Sequence, residues 1–310
     1  MKYLVYGRGF AAYGYVPALA SMGREVFVPL DLFKKLNPDQ FCHPDDLYNV
    51  KLFRPSNVKV DAVVLAVRPL EISPRISALD SLLLRGIHLL LEKPVGVSPQ
   101  KSIALFDELA LRGVMPFVNY SFLWTNWHSK IKNLLYVGTE IHCEWRFRSR
   151  FDIKKEAWKT KHEQGGGALL FYAIHFIALF PDSQCRNVIY CNLSNNGQSD
   201  NNLECELELM DTKRNKRQTL KIFLNSASEK TSFSIRVDNQ VVCEQSDPFD
   251  FTGSGSTSSR LLVDRRISVL QRYIRLTENA SWHPILLKIA RSAQEKLIVI
   301  SRSFKIDGRR

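Results

Sequence analysis

Two short stretches carry the side chains most able to do chemistry. "LLLEKPVG" (89–96) ends an apolar run on Glu92 and Lys93, and "GGGALLFYAIHF" (165–176) holds one histidine, His175, among Leu, Phe, Ala and Ile. A lysine can polarise an oxygen or hold a developing negative charge, and a histidine, with an unperturbed pKa of about 6.5, can take a proton near neutrality. Each alone has a plainer reading, Lys93 as a surface lysine and His175 as a core histidine bonded to a backbone carbonyl. A third stretch narrows the choice: "GRGFAAYGYVPALA" (7–20) directly follows the apolar run "KYLVYG". Gly7 suits a tight turn, Gly9 lets the backbone approach a pyrophosphate, and Ala12 is small where strand and helix must pack closely. Arg8, Phe10 and Ala11 complete the turn, and the N–H groups that open the next helix would point at phosphate.

Asp31 lies 19 residues beyond Ala12, at the end of the run "EVFVPLD". A carboxylate there can accept hydrogen bonds from the adenosine ribose hydroxyls and would repel a 2′-phosphate, which favours NAD. NADP is the alternative, since Lys34 and Lys35 would soften that repulsion, and Asp31 could equally cap "LFKKL".

These residues need elements to position them. "KYLVYG" (2–7), "EVFVPLD" (25–31), "DAVVLAV" (61–67), "IHLLLE" (87–92) and "MPFVNY" (115–120) read as strands buried on both faces. Helical patterns lie between them at 10–22, 72–86 and 98–113, the last with Ser98 as N-cap and Gly113 as C-cap. Strand and helix in alternation predict a doubly wound parallel sheet of Rossmann type over residues 1–121. The pattern then changes to polar–apolar alternation at 139–150, 187–194, 203–211, 219–226 and 233–245, as antiparallel strands show. The linker "GSGSTSS" (253–259) leads to helical segments near 259–279 and 283–302. Residues 122–310 thus read as an α+β domain with a mainly antiparallel sheet and closing C-terminal helices.

With the glycine turn, "AVRP" (66–69) and "EKPVG" together, the chain resembles the Gfo/Idh/MocA oxidoreductases, and the resemblance runs over nearly its whole length. It implies an NAD(P)-dependent enzyme that moves a hydride between the nicotinamide and a sugar or nucleotide-sugar hydroxyl or keto group. Val67, Arg68, Glu92 and Lys93 would then adjoin the cofactor, with Lys93 and His175 the catalytic pair. Asn119, Arg146, Trp158 and Phe171 are the candidates to border the substrate, beside His175. The family has an aspartate, and some nucleotide-sugar members an asparagine, where this chain has Phe171, and a glycine where it has Ala173. Phe171 cannot orient an imidazole by a hydrogen bond, but it would desolvate His175 and disfavour its charged form. The rival reading is a catalytically silent relative that binds a dinucleotide as a sensor or subunit. The resemblance also implies pairing of two copies through the second sheet and a setting in surface-polysaccharide precursor synthesis.

Two placements stay open on the sequence. Arg146, Arg148 and Arg150 alternate along one strand and share a face, either towards the ligand or towards solvent, and Trp158 either packs on a sugar ring or anchors a loop.

Composition excludes other classes. With 45% hydrophobic and 24% charged residues in 310, the chain has the makings of two ordinary globular cores. The longest apolar run, Ala168 to Phe180, is too short for a membrane span, and no secretory signal opens the chain, so a cytoplasmic protein is expected. The six cysteines and seven histidines show no zinc spacing, which predicts free thiols and no metal. Of the net charge of +12, residues 260–310 supply +8, from 12 Lys or Arg against 4 Asp or Glu. No nucleic-acid-binding motif accompanies this cluster or the basic stretch "RFRSRFDIKKEAWKTK" (146–161), so affinity for small anions is the better reading than nucleic acid or a membrane surface.

Overall fold

The computed structural model describes residues 1–54, 59–80, 86–149, 158–194, 201–249 and 263–303. Within them the chain forms two units. The first contains Met1–Val95, Leu105–Trp124 and residues 263–287; the second contains Gly96–Ala104 and residues 125–249 and 288–303.

The first unit is built on six strands: β1 (Lys2–Gly7), β2 (Glu25–Val28), β3 (Val50–Leu52), β4 (Ala62–Ala66), β5 (His88–Glu92) and β6 (Pro116–Asn119). All pair in parallel, in the order β3-β2-β1-β4-β5-β6. Tyr3, Leu4, Val5, Ala62–Leu65 and Leu89–Leu91 have no exposed surface, which is why these strands read as unbroken apolar runs. The chain proceeds outward from β1 on both sides, so the sheet reverses between β1 and β4, the place where open α/β sheets take ligands.

The helices depart from expectation where proline acts. The helix after β1 begins as a wide π turn, Ala11–Tyr15, before the α-helix Val16–Ser21. Pro17 has no N–H and cannot close a bond to the turn before it, which loosens the ladder there. β2 stops at Val28 because Pro29 turns the chain, so Asp31 does not end a strand as expected; it lies exposed in a four-residue helical turn, Leu30–Phe33. The helix expected at 72–86 starts earlier, with Pro69 in its first turn, and is described to Ala78. The helix Pro99–Leu111 keeps its expected caps: Ser98 Oγ accepts from the Lys101 N–H at 3.3 Å, and Gly113 has φ +68°.

The second unit has one sheet of β7 (Glu140–Arg148), β8 (Ser183–Ser194), β9 (Asn202–Asp211), β10 (Lys216–Asn225), β11 (Ala227–Val237) and β12 (Gln240–Gln245), in the order β12-β11-β7-β10-β9-β8. It is antiparallel except for the β7–β10 pair. Leu203, Cys205, Leu207 and Leu209 point inward while Glu204, Glu206 and Glu208 alternate outward, the mark of a sheet covered on one face. The run 233–245 is two strands, not one. Asp238 and Asn239, both at positive φ, make a two-residue hairpin turn between them. Also unforeseen is the helix Asn126–Val137, capped by Thr125 Oγ1 and burying Trp127, His128, Ile131 and Leu135 along one stripe. The helix expected at 259–279 is described over Ile267–Thr277, while the linker 253–259, Arg150 and most of the basic stretch after it lie outside the described residues.

One ionic cluster ties the helix 267–277 to β1. Glu278 receives two hydrogen bonds from Arg24, at 2.9 and 2.7 Å, and one from the fully buried Tyr3 hydroxyl at 2.8 Å. Burial pushes the Glu278 carboxyl up, but the hydrogen bonds from Arg24 and Tyr3 more than offset this, and its pKa falls below the ordinary 4.5. Glu278→Ala should therefore cost about 2–3 kcal/mol, because it orphans a buried hydroxyl and a half-buried guanidinium. The contribution is fully present above pH 4.5 and is lost as pH falls through the depressed value, so thermal melts of the wild type and the variant should converge in acid.

Candidate active site

In the first unit, the carboxyl ends of β1, β4, β5 and β6 bring the expected residues to one sheet edge. Gly7 has φ +139°, and a Cβ there would stand 2.2 Å from the Ala66 carbonyl oxygen of β4. Its lack of a side chain lets two strands close. Gly9 has φ +57° and is exposed, with Tyr13 Cε1 at 3.7 Å the nearest atom to a Cβ, so its outer side is open. Ala11 and Ala12 are buried where the helix enters, and Arg8 is exposed. A turn that is open at Gly9 and runs into a helix start fits a pyrophosphate. Val67 and the exposed Arg68 follow β4, with Arg68 paired to Glu71 at 2.8 Å through Nε.

Glu92 closes β5 in a polar cluster. Its Oε2 accepts from the Tyr15 hydroxyl at 2.8 Å and from Asn119 Nδ2 at 3.2 Å. Burial pushes the Glu92 carboxyl up against the opposing pull of Lys93, Tyr15 and Asn119, and pushes the Tyr15 hydroxyl up as well. Asn119, fully buried, is thereby committed to bracing β5 against β6. Lys93 follows at 8% exposure, before a cis peptide to Pro94, and is not a surface lysine.

Sequence reasoning missed Tyr15 and Arg266. Tyr15 sits in the motif's own helix, and its hydroxyl in a small-residue stretch was the available signal. Arg266 carried none: more than two hundred residues later, it forms a bidentate pair with Asp264, at 2.9 and 2.8 Å, and its guanidinium lies 4.1 Å over the Phe10 ring. This sets a fixed cation beside the glycine turn.

In the second unit the three glycines have steric reasons. Gly165 and Gly167 have φ +84° and +75°, and a Cβ on Gly166 would stand 2.1 Å from the Trp158 carbonyl oxygen. The chain then forms a π turn, Ala168–Ala173, and the short α-helix Ile174–Ile177. Phe171 packs edge-on against Trp158 (5.6 Å) and Tyr172 (4.8 Å), with Lys159 Nζ 5.2 Å over its ring. Tyr172, also missed from the sequence, meets Ser149 Oγ at 3.0 Å and packs on Trp145 and Phe147. His175 is buried at 3% exposure, and Phe176 stacks on Phe233 of β11. Arg146 does not join this cluster. It lies on the face of β7 opposite Trp145, paired with Glu144 and stacked 4.6 Å over Phe223, because strand side chains alternate. Arg148 shares that exposed face. Among the described residues no group of His, Cys, Asp and Glu is placed to hold a metal, and no helix is long and apolar enough to cross a membrane.

The fold has counterparts among solved structures. The WlbA (WbpB) dehydrogenase from Thermus thermophilus, solved with NAD and UDP-GlcNAcA, matches over 99% of this chain and 95% of its own, with 16% identity and a TM-score of 0.65. This is the fold of the Gfo/Idh/MocA-type dehydrogenases. KijD10, a 3-ketoreductase from Actinomadura kijaniata solved with NADP and TDP-benzene, matches over 98% and 97% at 15% identity, with a TM-score of 0.61. A myo-inositol dehydrogenase from Corynebacterium glutamicum matches over 97% and 95% at 10% identity, with a TM-score of 0.64. No protein-family model and no curated protein matches the sequence.

Proposed function

We propose that the chain is an NAD-dependent oxidoreductase acting on a hydroxyl or keto group of a sugar or nucleotide sugar, in the synthesis of surface-polysaccharide precursors. The observation that carries this reading is the open glycine turn at Gly9, at the reversal point of a parallel sheet whose neighbouring edge ends in the buried Lys93. Gly7–Ala12 would hold the pyrophosphate, the guanidinium of Arg266, paired with Asp264, would stand beside it, and Asp31 would accept from the ribose hydroxyls. NAD is preferred to NADP because a 2′-phosphate would face that carboxylate.

A nicotinamide held there would supply the hydride chemistry, and the protein's own groups handle the proton. His175 takes the proton of the substrate hydroxyl, and Lys93 stabilises the oxygen as negative charge develops on it. Glu92, held by Tyr15 and Asn119, positions the end of β5 from which Lys93 projects. Phe171 and Trp158 offer aromatic surface of the kind that packs on sugar rings.

The test is a panel of UDP-sugars, free sugar acids and inositols, scored by reduction of NAD, with the unaltered protein and with Phe171→Asp and Phe171→Asn. The unaltered protein should reduce NAD with at least one compound, and NAD should bind more tightly than NADP. If it binds NAD but reduces none while a Phe171 variant gains activity, the protein is a dinucleotide-binding sensor or subunit and its histidine is a remnant.

A further inference from the structure

The second unit contains a cleft of about 370 Å³ lined by none of the residues discussed above as site candidates. Its walls are the start of β8, the turn between β9 and β10 at Thr212, and the helix His283–Arg302. Asp182, Cys185, Lys288, Arg291, Glu295 and Lys296 supply its titratable groups.

Lys296 is the anomaly. Its helix buries Leu286, Ile289, Ala290, Ala293, Leu297 and Ile300 at turn-by-turn spacing, and Lys296 falls beside that stripe at 2% exposure. Nζ reaches Ser292 Oγ at 2.5 Å and the Ser292 carbonyl at 3.4 Å. The nearby carboxylates are engaged elsewhere, Asp182 with Lys288 (2.6 Å) and Lys213 (3.1 Å), and Glu295 with Arg291 (3.4 Å). A buried ammonium without its own counter-ion is costly. Burial pushes the amine down to about 7; Cys185, Glu295 and Asp182 pull upward and Lys288 adds to the depression. Far more of the molecules at neutral pH thus carry a lone pair on Nζ than for an ordinary lysine, which is almost wholly protonated there. The Cys185 thiol is pushed up to about 11 and stays protonated, which leaves the amine as the nucleophile of the cleft.

We propose that this cleft is a second ligand site, in which Lys296 condenses reversibly with the carbonyl carbon of a small aldehyde or ketone that also carries an anionic group. The Nζ lone pair forms the C–N bond while the carbonyl π pair moves to oxygen. One Nζ proton passes to that oxygen to give a carbinolamine, the second Nζ proton goes with the departing hydroxyl, which leaves as water, and a C=N bond remains, with no oxidant or reductant required. Lys288 and Arg291, each with about half its side chain exposed, stand on the cleft wall, and the anionic group would share them with Asp182 and Glu295, the carboxylates they already pair with. A volume of about 370 Å³ suits a small metabolite. The proposal is independent of the oxidoreductase reading.

Pyridoxal 5′-phosphate, which has both an aldehyde and an anion, is the probe. The full chain is incubated with one equivalent, reduced with borohydride and mapped by peptide mass. Lys296 should be labelled at least about tenfold faster than any other lysine. Its rate should level off above about pH 7 and fall about tenfold per unit below it, whereas ordinary lysines keep gaining towards pH 10. Lys296→Met, which keeps the buried stem, should abolish the preferred label with the fold intact by circular dichroism. Lys288→Ala with Arg291→Ala should slow labelling by the phosphate-bearing probe more than labelling by pyridoxal. Label spread over exposed lysines without preference, or a Lys296 rate that climbs through pH 7 without levelling, would overturn the proposal.

Discussion

Lys93→Ala is expected to lower turnover by roughly 10²- to 10⁴-fold, the usual worth of a positioned group that handles a proton or a developing charge. Lys93 is 8% exposed at the carboxyl end of β5, beside a Glu92 carboxyl fixed by Tyr15 and Asn119, so its ammonium starts from an anchored strand end. An anchored charge needs little reorganisation as the substrate oxygen becomes negative, and that is where its contribution lies. Cofactor affinity should change far less, because the pyrophosphate is assigned to the turn after β1. Lys93→Met separates charge from packing: it keeps most of the stem and removes the donor, and should be nearly as slow as alanine. The measurements are steady-state turnover with a true substrate and calorimetric titration with NAD. Turnover within a few-fold of wild type in either variant would remove Lys93 from the reaction.

Gly9→Val should abolish NAD binding, weakening it by more than about 100-fold, while the protein still folds. The two glycines of the turn predict different failures. At Gly9 a Cβ meets nothing closer than 3.7 Å, so the cost to the protein is the strain of a side chain at φ +57°, about 1–2 kcal/mol. The valine methyls would occupy the open side where the pyrophosphate must approach. At Gly7 a Cβ would stand 2.2 Å from the Ala66 carbonyl oxygen, so substitution there should separate β1 from β4 and lower the melting temperature. Calorimetry and thermal melts of Gly9→Val and Gly7→Val distinguish the two. Retention of NAD affinity in a folded Gly9→Val protein would place the cofactor elsewhere.

Much of the frame was legible because burial on both faces writes itself as an apolar run. β1, β4, β5 and β6 fall within their expected spans, and Ser98 and Gly113 mark the helix between β5 and β6. Local signals failed where two readings compete over a few residues. "FSIRVDNQVVCEQ" alternates through a turn that two positive-φ residues make, and the helix Asn126–Val137 lacks the apolar density of its neighbours. Pro29 and Pro17 were visible, and each acts by lacking an N–H: one ends β2 before Asp31, the other leaves the turn before it without a regular α-helical ladder.

The sequence by itself determined the class of both sheets and the residue types at the glycine turn, because periodicity and turn chemistry are properties of neighbours along the chain. Only the tertiary structure decided which charges are buried and in what company. Lys93 looks like any lysine after a strand, yet in the folded chain it is buried. Arg146 and Trp158 could each face a ligand until the pleat turned Arg146 to the opposite face of β7 and the glycine segment brought Trp158 against Phe171. Arg266 reaches Phe10, and Lys296 loses its water, through contacts between residues far apart in sequence. Desolvation and charge pairing act through space, and no spacing along the chain encodes them.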